Sequence, residues 1–497
     1  MLLALPDPCL VAVLRYTYGA DEYEKDAPSM FSAARAHSRL HQAAVLAVSS
    51  IKAHLMKQQQ VDSILLYLTK HGKHILSLEV VGPWDYYRLD SAATLQQLPH
   101  QSLQGLSSLC FSHLRLQLQP GGGFQGVLTA GAPLKELDLS DCSLLDGVEA
   151  LAAVLPLLPC LQDLRCSKSF GCSGLGPVGD ITKPPKCFPH NSTLQKLQQL
   201  TCLSLTGYAL EEPGGPQHLQ RLTNLQELYL DGKALPIVKA GMLSGLQQLV
   251  AFGLHGDNSM SSGDAVLEPD ALAGMTNLQS LGVLYCKTAG GSAAVTQLMS
   301  HLQHMQQLTW LDLRGGLHDD ATIAPAAAYS AVTANSKLRL LYLSDCTLPE
   351  GVWPHTFPTG RQLPDLQHLD IGQVNYPGAW PSHATIPDLS RLVSCCPGLQ
   401  RLNMRGLRAT AEQLAPLTGL SGLVKLHVAL NGNPAAEIAM VCQLTGLEEL
   451  DLSDPSDDDR LLLQLTQLKK LGYLDYRPPD RSYDHKRHQI QFYWEVS

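Results

Sequence analysis

The sequence predicts an α/β solenoid: a curved horseshoe with a parallel β-sheet on its concave face, helices and irregular turns on its convex face, and a small all-α cap at the N-terminal end. Three observations carry this expectation. A Leu-x-x-Leu-x-Leu pattern recurs from residue 75 to the end of the chain. With 497 residues the chain exceeds the size at which one compact core keeps growing, so it either divides into domains or extends by repetition. Hydrophobic residues make up 45% and charged residues 16%, which supplies apolar surface to bury and too little charge for a disordered polymer.

The clearest copies of the repeat are Leu134-Lys135-Glu136-Leu137-Asp138-Leu139-Ser140-Asp141-Cys142 and Leu338-Arg339-Leu340-Leu341-Tyr342-Leu343-Ser344-Asp345-Cys346. Further copies start at Ile75, Leu106, Leu161, Leu200, Leu225, Leu249, Leu278, Leu308, Leu366, Leu399, Leu423, Leu447 and Leu471, giving about fifteen units of roughly 24 to 30 residues. The spacing has a physical reason. A strand alternates its side chains, so the closing Leu-x-Leu pair points to one face, the first Leu turns the chain into the strand, and the residues between point outward. One unit cannot bury its own leucines, so neighbours stack and their strands pair in parallel. This pattern resembles the leucine-rich-repeat family, in its Cys-containing, ribonuclease-inhibitor-like type, over residues 75–497. The resemblance implies a binding scaffold.

The return segments complete the units. Val295, Leu298, Met299 and Leu302 fall at i, i+3, i+4 and i+7, and Val148, Leu151 and Leu155 form a similar stripe, so both segments read as helices. Units from Leu399 to Leu471 are shorter, near 24 residues, and leave less room for a helix. The back of the array is therefore expected to thin toward the C-terminus. Residues 167–193 interrupt the rhythm with Gly171, Gly174, Gly176, Gly179 and prolines, which reads as a surface loop. Cys160, Cys166, Cys172 and Cys187 lie near it without the close Cys-x2-4-Cys spacing of a zinc site.

Residues 1–74 lack the repeat and read as short helices. Leu10, Val13 and Leu14 form one stripe, Ser29 is placed to N-cap the run Met30 to Ala36, and Leu40, Ala44, Ala47 and Val48 form another. A helical cap over the first leucine layer explains them. Over about residues 3–48 the segment also resembles an F-box, in Leu5-Pro6, Val13-Leu14, Met30-Phe31 and Ala36-His37-Ser38-Arg39-Leu40-His41. That resemblance implies docking on the adaptor of a Skp-cullin ubiquitin ligase through Leu5, Pro6, Val13, Leu14 and Phe31. Both readings stay open.

Several function classes are disfavoured. The net charge of −9 is spread along the chain, which argues against general binding to nucleic acid or anionic membrane. No window reaches the roughly 20 apolar residues of a membrane span. The opening Met1-Leu2-Leu3-Ala4-Leu5 lacks a preceding basic segment and is broken by Pro6, Asp7 and Pro8, so it does not read as a signal peptide. Thirteen cysteines, an odd number, sit mostly as single residues in apolar stretches, which fits a reducing compartment, cytoplasm or nucleus. The histidine pairs His37/His41, His301/His304 and His485/His488 have no third ligand in sequence reach, and no nucleophile elbow or phosphate-binding glycine loop occurs, so neither enzyme, metal nor cofactor is expected.

What remains is protein binding. The outward strand positions run from Lys135, Glu136 and Asp138, through Thr309 and Trp310, to Lys425 and His427, and turn acidic at Glu448, Glu449 and Asp451. The middle of the series, Trp310, Asp312, Arg339, Leu340, Tyr342, His368, Arg401 and Asn403, is expected to hold a target protein on the concave face, because aromatic and arginine side chains anchor interfaces. Two forms of this function follow: the substrate-recognition subunit of a Skp-cullin-F-box ligase, or a free-standing repeat scaffold in signalling or assembly.

Overall fold

The computed structural model describes residues 49–54, 58–82, 94–95, 98, 103–116, 133–144, 151, 153–167, 194–206, 219–232, 234–256, 265–316, 323–373, 386–431, 433–453, 463–477 and 488–490. The chain forms two compact units, residues 1–227 and 228–497.

In the first unit the strands β1 (Ser50–His54), β2 (Ser77–Val81), β3 (Ser108–Ser112), β4 (Glu136–Asp138), β5 (Asp163–Ser167) and β6 (Cys202–Thr206) pair in sequence, all parallel. The helix α1 (Gln58–His71) returns from β1 toward β2. Two-residue strands at Thr94–Leu95, Arg115–Leu116 and Ser143–Leu144 make a second, narrow parallel sheet. The sheet therefore begins 25 residues ahead of the first expected repeat, inside the segment that reads as an all-helical cap. Ser50-Ile51-Lys52-Ala53-His54 alternates as a strand should, but Ile51 and Ala53 stand at the inward positions, where β2 and the other strands of this unit each carry at least one leucine. The stripes of residues 1–48, Val148 and the loop after Ser167 lie outside the described residues.

In the second unit β7 (Glu227–Asp231), β8 (Ala251–His255), β9 (Ser280–Leu284), β10 (Trp310–Asp312), β11 (Leu340–Tyr342), β12 (His368–Asp370), β13 (Arg401–Ala409), β14 (Lys425–Leu430), β15 (Glu449–Ser453) and β16 (Tyr473–Arg477) follow the same rule, one strand per repeat. From β8 to β16 each pair is parallel, and β17 (His488–Ile490) adds an antiparallel strand beside β16. Return segments include α2 (Gly291–His304), α3 (Trp353–Thr356), α4 (Leu389–Cys395), α5 (Ala411–Leu414) and α6 (Pro434–Val441). Within each unit this is the architecture of a leucine-rich-repeat solenoid.

The core follows the consensus. All fifteen opening residues from Ile75 to Leu471 are buried, the least so being Leu308 at 3% exposure, and Leu137, Leu139, Leu341 and Leu343 are buried with them. Val295, Leu298, Met299 and Leu302 form the buried stripe of α2. Six of the strands lead into a turn with one residue in left-handed backbone, filled by His113, Asp141, Tyr285, Gly315, Asp345 and Gln373, and Gly406 takes the same conformation at the register shift within β13. The next residue is Cys in three of these turns. There Cys142, Cys286 and Cys346 are buried and their Sγ–H groups face the carbonyls of Phe111, Leu254 and Leu313 at 3.3, 3.4 and 2.9 Å, each the closing apolar residue of the Leu-x-x-Leu-x-Leu pattern in the preceding repeat. A buried polar group needs such a partner. The thiol therefore ties one repeat to the one before it.

The back does not thin steadily. The 24-residue repeat from Leu423 to Leu447 holds the eight-residue α6, N-capped by Asn433 and opened by Pro434, whereas the equally short repeat from Leu225 to Leu249 has no helix among its described residues. Asn433 Oδ1 accepts from Ala436 N at 3.4 Å and satisfies one of the free N–H groups of α6.

Candidate functional site

Register arranges the outward side chains of the second unit in two rows. The first row is Ser280, Trp310, Leu340, His368, Arg401, Lys425, Glu449 and Tyr473, facing one another strand by strand. Two residues further along, Gly282, Asp312, Tyr342, Asp370, Asn403, His427, Asp451 and Asp475 form the second row. The intervening leucines, Leu281, Leu311, Leu341, Leu369, Leu402, Leu426, Leu450 and Leu474, are buried in the solenoid interior. Of the expected site residues, Trp310, Asp312, Leu340, Tyr342, His368, Arg401 and Asn403 thus share one face on four adjacent strands, β10 to β13, while Arg339 stands one residue before β11, outside both rows.

Aromatic side chains dominate this part of the face. The rings of Trp310 and Tyr342 meet edge to face at 6.5 Å and 76°, and Tyr342 lies 4.7 Å from the His368 ring, with Tyr342 Oη and His368 Nδ1 3.2 Å apart. The Arg314 guanidinium sits 5.0 Å from the centre of the Tyr342 ring, a cation–π distance. Trp310, Leu340, Tyr342 and His368 are all half-buried. They do not project freely into solvent as the strand pattern alone suggests, because Trp310 packs beside Leu340 and against Tyr342.

Two glycines leave room for the rings. A Cβ at Gly282 would lie 3.5 Å from the Trp310 ring, and one at Gly253 would lie 2.7 Å from the ring of Tyr229, so each aromatic side chain leans over a strand position without a side chain. Tyr285 adds a further ring in left-handed backbone with φ 51°, an uncommon conformation for a bulky residue. It covers Gly315, where a Cβ would come within 2.1 Å of its ring, and its hydroxyl donates to Asp345 Oδ2 at 3.4 Å. The His255 ring is 5.9 Å away. Tyr229, Gly253, Gly282, Tyr285 and Arg314 are the residues sequence reasoning missed. Glycine at an outward strand position, in Phe252-Gly253-Leu254 and Leu281-Gly282-Val283, is the signal that marks such a close approach.

The acidic residues of the second row do not act as surface charges. Asp312, expected among the binding residues, has 0% exposure, and its carboxylate accepts bonds from Arg314 N at 3.1 Å, Nε at 3.0 Å and Nη2 at 2.7 Å. Asp370 is also buried and accepts from Gly372 N at 3.0 Å and Ser344 Oγ at 3.1 Å. Asn403 Oδ1 accepts from Arg405 N at 3.0 Å. In each case the side chain bonds an N–H two residues ahead and fixes the turn that leaves the strand. Asp451, expected on a solvated face, is buried too. Neighbouring strands and the turn itself cover these carboxylates, which alternation along a single strand does not reveal.

Burial sets the titration of the face. It raises the Asp370 carboxyl and the Tyr342 hydroxyl above their ordinary values. Burial first, then the positive charges of Arg401, Lys425 and Arg314, holds His368 down to about 4, and His427 is lowered to about 4 by burial and Lys425. Asp451 is pushed up to about 6 by burial and by Asp475. His368 is thus a neutral ring at pH 7, suited to packing and hydrogen bonding.

Arg339 and Arg401 are exposed at the rim of the cluster. In the first unit Lys52 pairs with Glu79 at 3.3 Å, Arg165 with Asp163 at 2.9 Å, and Glu136 accepts from Ser108 Oγ at 2.7 Å, so that face also satisfies part of its own charge. Leu5, Pro6, Val13, Leu14 and Phe31 lie outside the described residues. Among the described residues no group of three His, Cys, Asp or Glu could hold a metal ion, and no helix is long and apolar enough to cross a membrane.

No family model matches the sequence, and no curated protein matches it. Among solved structures, an internalin from Listeria monocytogenes is similar over 91% of this chain and 95% of its own, at 14% identity and a TM-score of 0.39. At that level the likeness bears on neither function nor partner. The repeat signature and the sheet with one strand per repeat together give this chain the fold of the leucine-rich-repeat solenoids.

Proposed function

We propose that this chain is a protein-binding scaffold whose target docks on the outward face of β10 to β13. The observation that carries this reading is the half-buried cluster of Trp310, Leu340, Tyr342 and His368 on the side of the sheet away from the leucine core. The core is complete without it, and anchors of this composition dominate the energetics of protein interfaces. Arg339, Arg401 and Asn403 form its polar rim. Asp312 contributes by holding Arg314 against Tyr342 and makes no contact itself. Affinity purification with mass spectrometry identifies the target. Trp310→Ala and Tyr342→Ala should then each weaken its binding by about 2 kcal/mol or more, with the thermal midpoint nearly unchanged, while Lys135→Ala in the first unit should have little effect. Equal binding by the parent and Trp310→Ala proteins would move the site elsewhere.

The finer form of the proposal is a substrate-recognition subunit of a Skp-cullin-F-box ubiquitin ligase, acting in cytoplasm or nucleus. The resemblance of residues 3–48 to an F-box supports it, with Leu5, Pro6, Val13, Leu14 and Phe31 as the adaptor contacts. The adaptor should co-purify with the full chain, and Leu14→Asp should abolish this without loss of the folded repeats. Failure of the parent chain to retain the adaptor would leave a free-standing scaffold with a capping segment.

A further inference from the structure

Most charges on the target face of the second unit are already spent within the fold. Arg314 is bound to Asp312, Lys425 pairs with Glu449, and Asp370 is buried among its own donors. Arg339 and Arg401 are exposed, and neither is in the ion pairs of the described residues, while the half-buried Arg405 stands near enough to Asp451 to favour its carboxylate. The rim therefore presents uncompensated arginine charge beside Trp310, Leu340 and Tyr342, in a chain whose net charge is −9. His368 between them is held neutral and adds no positive charge of its own.

We propose that the segment held on this face is an acidic stretch of a protein that also carries an apolar side chain, the apolar residue packing on Trp310 and Leu340 and the carboxylates meeting Arg401 and Arg339. The proposal rests on the interface reading given above. The first row sets the spacing of the complement: Trp310, Leu340, His368 and Arg401 stand on successive strands, and strands lie about 4.8 Å apart, so Trp310 and Arg401 are separated by three strand spacings, about 14 Å. An extended peptide crossing the strands rises about 3.3 Å per residue and places its apolar and acidic side chains four or five residues apart. Arginine suits this role because its planar fork binds a carboxylate through two parallel hydrogen bonds.

A random peptide display library panned on the full chain, with binding of the selected synthetic peptides measured by fluorescence polarisation, tests this directly. Selected sequences should be rich in Asp or Glu near an aromatic or aliphatic residue. Their affinity should fall about tenfold or more in Arg401→Glu and in Arg339→Glu at unchanged thermal midpoint, and should weaken as salt is raised. Selected peptides that depend on Trp310 but carry no acidic bias would overturn the acidic complement and leave the interface in place. Acidic peptides indifferent to Trp310→Ala and to Tyr342→Ala would overturn the interface itself. Tighter binding of a single-stranded oligothymidine than of any selected peptide, or no selection at all, would also overturn the proposal.

Discussion

At the scale of single residues, the buried titratable groups of the outward face pull stability in opposite directions with pH. A histidine held at about 4 in the fold and near 6.5 when unfolded binds its proton preferentially in the unfolded chain between those values, so His368 and His427 make the protein less stable as pH falls from about 6.5 to about 4. Above that window they contribute nothing. Asp451 works the other way: raised to about 6 from 3.8, its folded carboxyl keeps a proton the unfolded chain has lost, and stability falls as pH rises through that interval. His368→Gln should therefore reduce the drop in thermal midpoint between about pH 7 and about pH 5. Asp451→Asn should raise the midpoint above about pH 6 and change it much less near pH 4. Melting curves across this range check both signs, and a larger acid-side drop in His368→Gln than in the parent would refute the assignment to that histidine.

At the scale of the element, six strands lead into a turn with one left-handed residue, and at Gly315 the choice of that residue links the turn to the binding face. Gly315 and Gly351 both have positive φ, at 56° and 73°, but a Cβ at Gly351 meets nothing within 4 Å, whereas one at Gly315 runs into the Tyr285 ring. Gly351→Ala should cost about 1 to 2 kcal/mol from backbone conformation alone, and Gly315→Ala should cost clearly more, as read from denaturant unfolding. Equal costs would mean that Tyr285 moves aside freely. The strand and its leucines were legible in sequence, since their spacing is the spacing of the pleat. The turn chemistry was only partly so: Asp138, Asp312 and Asp370 stand at outward positions that alternation assigns to solvent, yet the N–H two residues ahead draws each carboxylate inward. Likewise β1 is not legible in the repeat pattern, because Ile51 and Ala53 stand at the inward positions where β2 to β16 each carry at least one leucine.

At the scale of the whole molecule, a chain of repeats couples each layer mainly to its neighbours. Leu341, with 0% exposure, fills one layer between Leu311 and Leu369. Leu341→Ala should cost about 2 to 5 kcal/mol, with hydrogen-exchange protection lost around β10 to β12 and retained around β15 and β16. Uniform loss across all repeats would show a single cooperative unit instead. The sequence by itself determined the repeat, its inward leucines, the parallel pairing and the order of side chains along each outward row, because these follow from alternation within a strand and from the need of one unit to bury its leucines against the next. Only the tertiary structure decided that Asp312 is covered, that Trp310 leans over Gly282, that Tyr285 stands on Gly315 and that arginines are left without carboxylates at the rim. Apart from the Asp312–Arg314 pair, which lies within one turn, those outcomes depend on which side chains from separate repeats, about 30 residues apart in the chain, come together across strands, and no pattern within one repeat encodes that contact.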